Sequence, residues 1–292
     1  MQNLKYAFRF IKRSFQLAVE HEELQKPWMT LTLGSLALML AAAVPLALVI
    51  GMIGLIPIGM IFIGLISTFL LFCLRIFGEI TALSTSQICD KLIRVDGEGE
   101  APEPFRVSFN RSGKDVLNYR LIYPILRLYY QIRGIFSKET VRVPSWLSSG
   151  GLVLPLLALD KLSLDEATQR VSDMAERNLL RLRSSFIPVD IAARFVEWVT
   201  MVAGIVLGFV VGIALVEPML FGSWKMLLGG LVGLVIAGAL TTVGIAFSTF
   251  TRACYHTSLY RWAENIAAAQ KSGGAIQASP PKILGQVLGN DS

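Results

Sequence analysis

The chain has 292 residues, of which 53% are hydrophobic and 16% charged, with 27 basic against 21 acidic side chains and a formal net charge of +6. A mean hydropathy of +0.58 excludes an ordinary soluble domain and places the chain in a membrane. Its two histidines and three cysteines lie far apart without paired ligand spacing, so neither a metal nor a cofactor is expected.

Residues 1–28 read as a basic cytoplasmic helix whose mixed charge leaves no apolar core of its own and hence no cleavable signal. From Met29 to Leu74 there is no Asp, Glu, Lys or Arg, a run about twice the roughly 20 residues that one helix needs to cross a bilayer core. It must fold back on itself. Gly51, Gly54 and Pro57 mark the place where a turn costs least, which gives spans at 29–50 and 54–74.

Residues 75–195 read as a cytoplasmic segment that hugs the membrane, with an acidic loop at 96–104. Within it, RLIYPILRLYYQIRGIF sets Arg120, Arg127 and Arg133 among aliphatic and aromatic residues. Two readings stand open for this stretch: a basic amphipathic surface for anionic headgroups, or a helix packed on its own protein with snorkelling arginines.

The stretch 146–162 is an apolar elbow, too short to cross a bilayer and interrupted by Gly150, Gly151 and Pro155. It should dip into the interface or pack against the hairpins. Ser163 and Glu166 then have the S-x-x-E form of a capping box, which starts a helix running to about Ser185. One of its faces is apolar, and Arg170, Arg177 and Arg181 form another stripe that joins the lipid-surface set; Pro188 closes the helix.

The stretch LPLLALDKLSLDEATQRV resembles a pattern of uncharacterised prokaryotic multi-pass membrane proteins, whose membrane domain is related to one fused to some glycerophosphodiester phosphodiesterases. The matching positions are Leu154, Pro155, Leu156, Asp160, Leu162, Ser163, Glu166, Ala167 and Arg170. The opening FRFIKRSFQLAVEHEELQKPWMTLTLGSL is similar to the start of such proteins. The resemblance implies a general membrane plan and no catalytic residues.

A second apolar region repeats the plan of the first, with spans at 196–216 and 226–250 and a turn opened by Glu217-Pro218. Gly204, Gly208 and Gly212 line one face of the third span, and Gly229, Gly233 and Ala237 one face of the fourth. Such faces permit close helix packing, inside the hairpin or against another chain. Trp28, Trp198 and Trp224 stand at span ends, where an indole suits the headgroup layer. Residues 251–292 continue the last helix to about Gln270 and end in a loosely ordered tail rich in Gly, Ser and Pro. The pair STFLLFC from Ser67 and STFTRAC from Ser248 hints at an old duplication of the two hairpins.

The fold expected is therefore all-α: a polytopic membrane protein with four transmembrane helices in two hairpins plus amphipathic cytoplasmic or interfacial helices. All basic residues except Lys225 then fall on one side, which the positive-inside tendency makes cytoplasmic, both termini included. Arg75, Glu79 and Glu197 sit at or just beyond span ends and are candidates for a polar relay. The function expected is that of a non-catalytic structural, assembly or lipid-contacting component of the inner membrane. Its partners would be membrane lipids with anionic headgroups and a membrane protein or a second copy, with no nucleic acid. The alternatives are an oligomeric channel or transporter, which would need a polar cavity lined by Ser67, Thr68, Thr241, Thr242 or Ser248. A lipid-modifying enzyme would instead need Glu79, Asp90, Asp160 and His256 to converge.

Overall fold

The computed structural model of the protein describes residues 2–53, 57–93, 105–136, 147, 150–176, 187–216 and 223–271. Among these residues the structure is helical and holds no strand. In chain order the elements are α1 (Gln2–Glu20), α2 (Glu22–Ile53), α3 (Pro57–Ile93) and α4 (Phe105–Phe136). A 3-10 turn (Gly150–Leu152) leads into α5 (Val153–Leu159), followed by α6 (Leu164–Glu176), α7 (Ile187–Val216) and α8 (Ser223–Lys271).

Among the described residues, three helices are long and apolar enough to cross a membrane: α3 over Thr68–Leu92, α7 over Val189–Gly212 and α8 over Leu231–Gln270. The expected first span belongs to α2, which runs through Gly51 to Ile53, and the turn at Gly54 lies outside the described residues. So do the acidic loop at 96–104, the turn at 217–222 and the tail beyond Lys271. Pro188 opens α7 rather than standing between helices, a position where its missing amide hydrogen costs nothing.

The chain divides into two compact units. The second unit, Trp28–Gly78 with Ala193–Ser248, has a small apolar core of Leu70, Leu74 and Ile245, with Met39 and Ala42 packed on it. Here α7 and α8 run antiparallel along their small residues. A Cβ on Gly204 would stand 2.9 Å from the Ala237 carbonyl oxygen, and one on Gly212 3.0 Å from that of Gly229. A Cβ on Gly208 would collide with the Gly233 carbonyl, so at this point the two backbones touch. Only 22% of the apolar window of α7 is buried within the protein. The remaining surface, which includes Phe195, Trp198, Val202, Ile205 and Phe209, needs lipid or another apolar partner.

The first unit, Met1–Pro27 with Glu79–Ala192 and Thr249–Ser292, is more polar. In α1 the residues Ala7, Phe10 and Ser14 recur at helical spacing and are buried, and Phe10 meets Tyr255 of α8 edge-on with centroids 5.4 Å apart. The elbow α5 is buried from Val153 to Ala158. It is tied to α3, where Gln87 Nε2 donates to the Ala158 carbonyl at 3.1 Å, and the turn before it is tied to α4, where Tyr119 donates to the Gly150 carbonyl at 2.8 Å. Glycine leaves room for rings at both positions of that turn. A side chain on Gly150 would strike the Tyr123 ring, and one on Gly151 the His256 ring. Among the described residues the elbow thus packs on helices of its own unit.

Candidate functional site

The chemistry-bearing residues of the first unit gather along the second half of α8, where residues three or four apart share one face. Arg252 Nε and His256 Nε2 both reach Asp190 Oδ1 at 3.1 Å. Two turns on, Arg261 grips Asp90 with two of its nitrogens, Nη2 to Oδ2 at 2.7 Å, and gives its third to Glu264. This fork geometry is the one that suits a guanidinium to a carboxylate.

The same network reaches the elbow. Tyr260 Oη lies 2.7 Å from Asp160 Oδ2 and 2.6 Å from Glu264 Oε1, and Arg170 spans those same two oxygens at 3.3 Å each. A phenol has one proton to donate, so Tyr260 serves one carboxylate at a time while Arg170 holds both. Asp90, Asp160, Glu264, Arg170 and Arg261 thus satisfy one another, and their charges lock α3, the elbow, α6 and α8 together. Among the described residues no group of three His, Cys, Asp or Glu side chains could hold a metal.

The unit's other feature is α4, a helix with two apolar faces. One, with Val116 and Tyr119, packs inward; Tyr123, whose ring lies 5.2 Å from that of Tyr119, continues it. The opposite face carries Leu117, Leu121, Ile125, Leu128 and Ile132, spaced three and four apart, and Ile122 and Tyr129 widen it; all are exposed. Arg127 and Arg133 are exposed on its two margins, and Arg133 leans on the Tyr129 hydroxyl at 3.4 Å. A surface of this kind, apolar with basic edges, matches the plane between acyl chains and headgroups.

The residues singled out in the sequence fall as follows. Ser163 and Glu166 make the capping box: the Ser163 amide donates to Glu166 Oε2 at 2.9 Å, and the Glu166 amide lies 3.5 Å from Ser163 Oγ. The Ser163 amide, and after it the Ser163 hydroxyl at 2.8 Å, hold the Glu166 carboxyl below its ordinary value. Arg170 is drawn into the ion pairs with Asp160 and Glu264. Arg120 is in α4, but its side chain is outside the description, and Arg177 and Arg181 lie outside the described residues. Arg75 bonds Glu197 of α7 within the second unit, and Glu197 is buried there. Glu79 is buried in the first unit with α8's Arg252 in its field. Asp90 and Asp160, which a lipid-modifying site would have needed together, join one network, but each is occupied by arginines.

Asp190, Tyr260, Arg261 and Glu264 escaped the sequence reading. Their partners lie 62 to 171 residues away, apart from the local bonds of Tyr260 and Arg261 to Glu264. The local signal available was the alternation of charge and aromatic residues after Phe250, where a continuous apolar span should have ended. No family model, curated protein or solved structure matches the chain.

Proposed function

We propose that the protein is a non-catalytic component of the cytoplasmic membrane, with four spans in two hairpins and both termini inside. In this reading its basic helical layer rests on the anionic inner leaflet, where it serves structure, assembly or lipid contact. The observation that carries the proposal is the outer face of α4, apolar, exposed and edged by Arg127 and Arg133. Anionic headgroups attract such arginines by about 1 kcal/mol each. The fourth span is the uncharged part of α2 from Met29 onward, and the one-sided distribution of basic residues sets the orientation. The resemblance of the elbow stretch to prokaryotic multi-pass membrane proteins supports the same plan. Acids and bases that occupy one another, as Asp90 and Arg261 do, favour a structural role over catalysis.

A second reading, an oligomeric channel or transporter, is favoured by one observation in the second unit. The buried hydroxyls of Ser35, Thr242 and Ser248 have no partner among the described residues. Helix-borne hydroxyls usually bond back to their own backbone, as Thr241 does to the Ala237 carbonyl at 2.8 Å. The two readings separate by the mass of the assembly released from native membrane discs. A single chain or a mixed complex that retains anionic lipid supports the first, and a closed ring of identical chains free of lipid overturns it in favour of the second.

A further inference from the structure

Cys89 of α3 and Cys254 of α8 face each other inside the first unit, with their sulfurs 2.6 Å apart and both residues buried. Both are free thiols. Their register is held by Asp90, the next residue of α3, which grips Arg261 two turns beyond Cys254 on α8. The usual obstacle to a cross-link is that the two backbones or Cβ directions must move to bring sulfur to sulfur. Here the folded helices have already brought the sulfurs together.

We infer that Cys89 and Cys254 are a redox modification site, closing reversibly into a disulfide that ties α3 to α8 when the protein meets hydrogen peroxide. One sulfur attacks the peroxide, the O–O bond breaks, and a sulfenic acid and one water form. The second thiol displaces the sulfenic oxygen as another water, and the S–S bond closes. The two thiols lose two electrons and two protons in total, and the peroxide is reduced to two waters. A small thiol reverses the step by exchange, passing through a mixed disulfide. In a reducing compartment such a pair rests as free thiols and is oxidised only transiently. The third cysteine, Cys73, is half-buried in the second unit and serves as an internal control.

The test uses the full chain in lipid nanodiscs. Hydrogen peroxide is applied until Cys73 is oxidised, which shows that the reagent has reached the chain, and removed with catalase. The chain is then denatured, alkylated, digested and mapped by mass. The end point is read rather than the rate, because buried thiols react slowly. The expected result is a Cys89 peptide joined to a Cys254 peptide, about 2 Da lighter than their sum and separated by reductant. In the Cys89→Ser and Cys254→Ser chains the joined species is absent. The inference is overturned if Cys89 and Cys254 still alkylate once Cys73 is oxidised, if they carry separate sulfinic acids, or if either is bridged to a second chain.

Discussion

Arg261→Ala takes away the guanidinium that binds Asp90 through two nitrogens and Glu264 through the third. The side chains of Asp90 and Arg261 are 8% and 16% exposed, so water cannot replace what is lost. Breaking a buried pair from one side leaves an uncompensated charge and costs about 3–5 kcal/mol. Replacing both partners, Asp90→Leu with Arg261→Met, removes the desolvation burden together with the attraction and stays within about 1 kcal/mol of the parent or exceeds it. A cycle of Arg261→Met, Asp90→Leu and the double change, in which each single change breaks the pair from one side, therefore predicts a coupling of at least about 3 kcal/mol between the two positions. Reversible unfolding in mixed micelles, followed by fluorescence, measures it, and Trp262 is buried beside the site as a reporter. The reasoning fails if Arg261→Ala costs less than about 1 kcal/mol, the value of an exposed pair, or if the two changes add without coupling.

Gly208→Leu drives α7 off the Gly233 backbone and destabilises the second unit by about 1–3 kcal/mol, whereas the same residue at exposed Ala203 changes stability by less than about 0.5 kcal/mol; parallel unfolding curves compare them. Glu166, whose carboxyl is held low by Ser163, contributes stability that is fully present above the ordinary carboxylate range and is lost as pH falls through its depressed value. A stability profile from pH 7 to 3 should lose that component in Glu166→Gln, which keeps the cap without the titration. Lys161, between α5 and α6, has a φ of 55°, a conformation that costs a side-chain-bearing residue about 1 kcal/mol. Lys161→Gly should raise the unfolding midpoint, and a lowered midpoint would show that the lysine side chain matters more than the backbone.

What could be read from the sequence was local or periodic. The uncharged runs announce helices suited to a membrane because a helix must be apolar along its whole length to cross one, and α3, α7 and α8 have that character. The S-x-x-E cap is legible because its two bonds close within three residues, and the glycine spacing because it repeats every turn. The partners of Asp90, Arg75 and Asp190 could not be read, since no local rule links Asp90 to Arg261, 171 positions later. The two faces of α4 were equally hard to see: a helix apolar on opposite sides has no single stripe to betray which side packs inward. The two STF segments also end in different surroundings. Cys73 is half-buried in one unit, and Cys254 is buried against Cys89 in the other.

The most direct measurement is the depth of Ile125, at the middle of α4's outer face. A nitroxide on Ile125→Cys, in a chain otherwise free of cysteine and reconstituted into anionic bilayers, is exposed to oxygen and to a water-soluble nickel complex. Exposed Asp165, at the start of α6, provides the aqueous reference. The account predicts that the label at position 125 meets oxygen and excludes nickel, as a group among acyl chains does. Nickel access equal to that at position 165 would contradict it, because the basic, apolar face would then stand in water instead of in the membrane.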